Sequence, residues 1–293
     1  METTPLVFRG ELYRFEVIRD KRWAEESQEH WDGSSDECVP CLHFVNVRTN
    51  EKSPLFAENH TFGFPIVVDD TMYVVTGEGR HWGSDRLVFF RSDDLIHWEK
   101  YAEHSMPGWK IYNMNIAKMN DTYTLMIEIS EPLEERGPCS FTFRFLQSKD
   151  MTNWTLTPSE YVFQRERYAG SPALYTLEGD PHYYVCYLEA YPEHCFANCI
   201  ARSKDLIHWE YSLLNPVLMY DEYEDKKIGS PFLTPQDRAR IDAALDINNS
   251  DMEFCEFLGR TIIYYSWGRS AGYRIPCGSL FRGVDERISH RFL

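Results

Sequence analysis

No stretch of this 293-residue sequence approaches the run of about 18 apolar residues that crosses a bilayer as a helix. The first ten residues, Met1 to Gly10, lack the basic-then-apolar layout of a secretion leader. Both absences lead us to expect a cytoplasmic protein with no membrane partner. Positive charge is scarce as well: 30 Lys and Arg stand against 46 Asp and Glu, a formal net charge of -16. Nucleic-acid backbones are bound by basic surfaces that release counterions, so no nucleic-acid partner is expected. An acidic surface suits a neutral ligand, whereas a strongly acidic one would need a local Arg and Lys pocket. Zinc signatures are also wanting. Of eight cysteines, Cys38 and Cys41 form a Cys-x-x-Cys and Cys195 and Cys199 are separated by three residues, with no helix or knuckle signature around either pair. Cys186 and Cys255 fall in strand-like runs, where a free thiol serves as a small apolar group.

Aromatic residues, by contrast, make up 15% of the chain and hydrophobic ones 43%, enough for a large core and better suited to sheets than to helices. One phrase occurs three times: Arg91 to Trp98 (Arg-Ser-Asp-Asp-Leu-Ile-His-Trp), Gln147 to Trp154 (Gln-Ser-Lys-Asp-Met-Thr-Asn-Trp) and Arg202 to Trp209 (Arg-Ser-Lys-Asp-Leu-Ile-His-Trp). Its Asp recurs at Asp94, Asp150 and Asp205, at steps of 56 and 55 residues. Such a period marks an array of like supersecondary units, and the length has room for about five. Ser and Asp in a short polar turn cap backbone N–H groups, and the following Trp packs between neighbouring sheets. The phrase is therefore read as scaffold, since a catalytic group rarely occurs in three equivalent copies.

The same strand grammar precedes each copy. The first unit reads as strands over Phe64 to Val68, Met72 to Thr76 and Arg86 to Arg91, with the Trp98 segment as the fourth. The second has Ile116 to Met119, Tyr123 to Ile129 and Phe141 to Gln147; the third has Pro172 to Leu177, Tyr183 to Leu188 and Phe196 to Arg202. A fourth unit without the phrase runs through Asp251 to Phe257, Thr261 to Trp267 and Arg274 to Phe281. N-terminal strands over Leu12 to Ile18 and Cys41 to Val47 supply a fifth unit or the strand that closes the ring with the C-terminal ones. The expected fold is an all-β, five-bladed β-propeller of four-stranded antiparallel blades, one domain over residues 1–293. A short helical insertion near residues 234–246 interrupts it, with Thr234 as N-cap and Pro235 at the first helical position. Asp20 to Glu37, charged and Trp-containing, reads as a loop or short helix.

The Ser-x-Asp-Leu-x-x-Trp phrase, the turn before a Tyr-rich second strand and the period near 55 resemble the five-bladed β-propeller glycosidases, the broad group that includes glycoside hydrolase families 43, 32, 117 and 130. The likeness runs from Phe64 to Phe281. Ile247 to Asp251 and Tyr264 to Gly268 also look like uncharacterised hydrolases of this group. The resemblance implies carboxylates converging on a central funnel, one protonating the departing oxygen and another activating water or attacking the sugar. It implies a carbohydrate substrate, neutral or mildly anionic. Some members hold a central calcium ion; this chain has no dense Asp and Asn run for one, and no cofactor or metal is expected.

Against the family 43 pattern, an Asp beside Pro on the first inner strand, an Asp on the second and a Glu on the third, this chain departs. Gly63-Phe64-Pro65, Asn113-Met114-Asn115 and Gly170-Ser171-Pro172 carry no acid, whereas Asn249-Ser250-Asp251 does. Asp251 is thus the first catalytic candidate, and Glu253 shares its strand face in a deeper layer. Glu128 and Glu189 close apolar runs at what read as matching ends of second strands, near the level of Gly77 and Glu78 in the first unit, and are the other candidates. Binding candidates around them are Glu58, His60, Arg80, Trp82, Asn113, Asn115, Arg167, Tyr168, Ser171, Asn249 and Trp267, which combine stacking faces with polar groups. The expected activity is glycoside hydrolysis. A phosphorylase of the same architecture, with Arg80, Arg165 and Arg167 converging on phosphate, and a non-catalytic carbohydrate-binding propeller are the rivals.

Overall fold

The computed structural model describes residues 3–18, 39–79, 83–191, 195–246 and 248–268. The first sheet contains β1 (Thr3–Phe8), β2 (Glu11–Ile18) and β3 (Cys41–Asn46). Three four-stranded sheets follow. They are built from β4 (His60–Val68), β5 (Thr71–Glu78), β6 (Arg86–Ser92) and β7 (Glu99–Ser105); from β8 (Lys110–Met119), β9 (Thr122–Glu131), β10 (Thr142–Ser148) and β11 (Thr155–Leu156); and from β12 (Gly170–Thr176), β13 (Tyr183–Tyr191), β14 (Cys195–Ser203) and β15 (Glu210–Tyr211). The last described pair is β16 (Asn248–Phe257) and β17 (Arg260–Gly268). Strands pair antiparallel with their sequence neighbours in every sheet. The fold is an all-β propeller, but not five four-stranded blades: four sheets have three or four strands, and β16 and β17 form only a hairpin. Arg274 to Phe281, the fourth unit's expected third strand, lies outside the described residues, as does Asp20 to Glu37.

The first strands β4, β8, β12 and β16 begin two to six residues earlier than their apolar runs suggest. A β-bulge explains each extension, breaking the register between Thr61 and Phe64, Ile111 and Met114, Gly170 and Ala173, and Ser250 and Glu253. Phe62, Ser171 and Asp251, the first residue of three of these bulges, have φ of 53°, 48° and 52°, a left-handed conformation that non-glycine residues seldom adopt. First strands also neighbour one another: β4 packs on β8, β8 on β12, β12 on β16, and β1 touches both β16 and β4.

The repeated phrase builds the turn after the third strand. Asp94 Oδ1 accepts the backbone N–H groups of Ile96 and His97, both at 2.8 Å. Asp150 takes those of Thr152 and Asn153, and Asp205 those of Ile207 and His208, all at 2.8–2.9 Å. These donated bonds hold all three carboxyls well below the usual carboxylate range. The Trp then reaches back to the preceding sheet. Trp98 stacks on Phe56 at 3.8 Å and on Phe44 of β3; Trp154 stacks on Phe89 of β6 at 5.5 Å; Trp209 stacks on Phe145 of β10 at 6.0 Å. The fourth strands start just after the tryptophan rather than on it.

Between-sheet cores follow from the alternation of each strand. Met114, Ile116, Ile127 and Ile129 pack against Phe64, Val75, Leu87 and Phe89 on one side of the second four-stranded sheet, while Met126, Phe143 and Phe145 pack against Leu174, Val185 and Tyr187 on the other. Two helices are present among the described residues: α1 (Leu133–Arg136) and α2 (Pro235–Ala243). The second carries the expected cap, with Thr234 accepting from Asp237 N–H and the Asp237 side chain returning a bond to the Thr234 backbone. No described helix is long and apolar enough to cross a membrane.

Candidate functional site

Bulges re-aim side chains, and the second-strand residue opposite each bulge faces what they re-aim. By register these opposite residues are Thr76, Glu128, Tyr187 and Tyr265. Glu128 therefore matches Tyr187, not Glu189, which lies two residues further along β13. The expectation of matching ends is corrected by that bulge-set register.

Glu128 is 4% exposed; the Asn113 backbone N–H bonds its carboxyl, and two further donors converge on one oxygen. Asn113 Nδ2 donates to Oε2 at 2.8 Å, and the Ser171 backbone N–H donates to the same atom at 3.2 Å. The strained φ of Ser171 belongs to the bulge that presents this N–H across to the neighbouring sheet. Burial raises the carboxyl to about 7 against the lowering influence of the donated bonds, and the charge of Asp251 raises it further. Asp251, half-buried, accepts the Ser250 hydroxyl at Oδ2 from 2.8 Å. Tyr168 is the third member: burial and the charges of Glu128 and Asp251 push its phenol well above the ordinary value. Its hydroxyl lies 2.8 Å from where a Cβ on Gly170 would stand, so Gly170 is the residue that lets the ring lean over the strand.

Glu253 follows one layer deeper. Its Oε2 is enclosed without a hydrogen-bond partner among the described residues, and burial with the charge of Asp251 raises the carboxyl to about 8, opposed by a bond with the Thr4 side chain of β1. Aromatic rings border the cluster in edge-to-face or tilted succession: Phe62, Tyr112, Phe141, Tyr168 and Phe196, at centroid distances of 5.9, 5.1, 5.9 and 5.5 Å. Of these only Tyr168 stood out in the sequence; the others are contributed by separate strands and loops whose meeting no local pattern signals.

The remaining candidates disperse. Glu189 is buried in an ion pair with Arg167, and its Oε2 also accepts from Tyr187 OH at 3.5 Å. Arg167 is 61% exposed beyond that pair. Arg165 is bound to the Glu135 and Ser159 carbonyls. His60 donates through Nδ1 to the Glu58 carbonyl at 2.9 Å and packs edge-on to Phe90, while Glu58 itself is exposed. Asn115 is buried with neither amide atom partnered among the described residues. Asn249 is buried and donates to the Met219 carbonyl at 3.0 Å; Trp267 lies in the core beside Ile241, Met252 and Tyr265. Arg80 and Trp82 lie outside the described residues. No group of three or more His, Cys, Asp or Glu side chains that could hold a metal ion occurs among the described residues.

The fold is similar to the β-propeller of solved glycoside hydrolases of families 32, 43 and 62. The chain is similar to the Bombyx mori family 32 β-fructofuranosidase (10% identity, TM-score 0.54, 97% of this chain) and spans only 58% of that enzyme's length. It is also similar to the Podospora anserina α-L-arabinofuranosidase in complex with cellotriose (8%, TM-score 0.59, 94% of this chain and 87% of that one). A third is the endo-arabinase of Bacteroides thetaiotaomicron (11%, TM-score 0.58, 92% and 90%). No family model and no curated protein sequence matches the chain.

Proposed function

We propose that this chain is a glycoside hydrolase that cleaves a glycosidic bond in an oligo- or polysaccharide, with Glu128 as general acid and Asp251 as the ionised partner. One observation carries the reading: the Asn113 side chain and the Ser171 N–H both donate to Oε2 of this buried carboxyl, and we place the proton on Oε1. An acid held near 7 by burial, beside a carboxylate, is what protonation of a departing sugar oxygen requires. In the reaction the Oε1 proton passes to the glycosidic oxygen as its bond to the anomeric carbon breaks. Asp251 either takes a proton from the attacking water or bonds to that carbon itself. Tyr168 and the neighbouring rings offer stacking surface to a pyranose or furanose. Glu189, engaged by Arg167, is assigned a supporting role: it orients that guanidinium for sugar hydroxyls.

The hairpin β16 and β17 is, in this reading, the inner half of a fifth blade of one domain spanning residues 1–293; its contacts with β1 and β12 support that placement.

The test is a screen of aryl glycosides and oligosaccharides with wild type, Glu128→Gln and Asp251→Asn, with and without phosphate. Hydrolysis by wild type that both substitutions abolish is expected. Binding without turnover would leave a carbohydrate-binding propeller, a reading favoured by the absence of acids at the other bulges. Turnover that requires phosphate would make the chain a phosphorylase.

A further inference from the structure

The chain between β15 and β16 packs over the last two sheets, Val217, Leu218, Ile228, Leu233 and Ile241 covering Ile200, Met252, Ile263 and Tyr265. Beneath it lie two carboxyl groups, Asp225 at 4% and Asp246 at 2% exposure. Three of their four oxygens have donors. Asp225 Oδ1 accepts the Tyr265 hydroxyl at 2.7 Å and Oδ2 the Asp221 N–H at 3.0 Å, while Asp246 Oδ1 accepts the Gly268 N–H at 3.1 Å. The fourth, Asp246 Oδ2, is buried with no hydrogen-bond partner among the described residues and lies against the Asp225 carboxyl, while the Asn248 N–H also bonds the Asp246 carboxyl. Two ionised carboxylates cannot share such a place without a heavy desolvation and repulsion cost. A single proton on Oδ2 resolves it, because the acid then donates to Asp225 and all four oxygens are bonded.

Among the described residues no cation compensates the pair. Asp225 is the charge that acts on Asp246. Lys226, from the same segment, is engaged by Glu222 and the Asp242 carbonyl. From α2, Arg238 donates to the carbonyls of Lys226 and Ile228. From β17, the titratable group facing the pair is the Tyr265 phenol. The position in the sheet gives the pair its reach: Gly268 pairs with Asn248 and Trp267 with Asn249, immediately before the bulge that carries Asp251. Asn249 is in turn tied to the Met219 carbonyl where the segment begins.

We infer that Asp225 and Asp246 share one proton, and that this acid–carboxylate pair is a clasp fixing the start of β16, and with it Asp251, against residues 212–246. The link to Asp251 rests on the hydrolase reading; the shared proton does not. Burial, reinforced by Asp225, raises Asp246 to about 8 from 3.8. A folded value above the unfolded one means that the clasp's contribution is complete below 3.8 and is lost as pH rises to about 8.

Two measurements test it. Carboxyl carbon NMR of the wild type is expected to show an aspartate titrating near pH 8, and its absence would overturn the proposal whatever the variants do. Melting temperature is then followed from pH 5.5 to 8.5 for wild type and Asp246→Asn, whose amide supplies the donor at every pH. The wild type is expected to lose roughly 5 °C more than the variant across that range. Equal losses would refute the shared proton. So would a wild-type melting temperature at pH 8 that rises with calcium chloride and falls with chelator, because a cation would then sit between the carboxylates. For the link to Asp251, kcat/KM of Asp246→Asn should hold to higher pH than that of wild type, and an unchanged pH profile would sever it. If no glycoside is hydrolysed, the titration and melting results still decide the clasp by themselves.

Discussion

Glu128→Gln separates catalysis from stability. The wild-type carboxyl moves from 4.5 to about 7 on folding, and a shift of about 2.5 units corresponds to about 3 kcal/mol. Because the folded value is raised, this contribution is fully present below pH 4.5 and is lost as pH climbs to about 7. Gln stays neutral throughout. Its carbonyl can accept from Asn113 and Ser171 as Oε2 does, and its amide takes the place of the protonated Oε1. The variant should match wild type in urea unfolding at pH 4.5 and exceed it by about 3 kcal/mol at pH 8, the difference between the two curves removing contributions from Glu253 and Asp246. Hydrolysis should fall by about 10²- to 10⁴-fold, as loss of a general acid predicts. A variant whose stability tracks that of wild type at every pH would show that Glu128 is not a buried neutral acid. Full activity in the variant would remove it from the reaction.

Four further outcomes follow from the same geometry. Wild-type kcat/KM should decline above pH about 7 as Glu128 ionises; Asn113→Ala, which removes a bond that lowers the Glu128 value, should move that decline to higher pH in a pH-rate profile. Asp251→Asn should abolish turnover while leaving the melting temperature near wild type, since Asn tolerates the left-handed φ of 52°; Asp251→Val at the same bulge should melt markedly lower. Gly170→Ala should displace the Tyr168 phenol, whose hydroxyl lies 2.8 Å from the new Cβ, and raise KM more than it lowers kcat. Trp154→Ala removes a buried ring stacked on Phe89 and should cost about 3–5 kcal/mol in chemical denaturation.

The scaffold was the legible part of this sequence. Asp94, Asp150 and Asp205 do what a Ser-x-Asp turn predicts because capping is local: donor and acceptor lie two or three residues apart. The Thr234 cap of α2 was readable for the same reason. The funnel side was harder. A bulge breaks the alternation that marks a strand, so the strands read as starting at Phe64, Pro172 and Asp251 rather than as running through the bulges from His60, Gly170 and Asn248. Glu128 and Glu189 ended similar apolar runs, yet a register set by the bulge puts them two positions apart in equivalent strands. The meeting of Glu128 with Asn113 and Ser171 depends on two sheets packing side by side, which no window of sequence contains.

The backward reach of Trp98, Trp154 and Trp209 makes each sheet a rivet through the one before it. Among the described residues no tryptophan of the repeated phrase fastens β16 and β17 to β12–β15; there the two sheets meet through Ala173, Cys186, Ile200, Met252, Ile263 and Trp267 and the Tyr175–Phe254 stack, with Leu218, Ile228 and Ile241, outside the repeat, added over them. The joint beside the candidate site is therefore reinforced by a strap, and a single backbone cut in residues 212–234 is expected to loosen that joint while the riveted sheets remain folded.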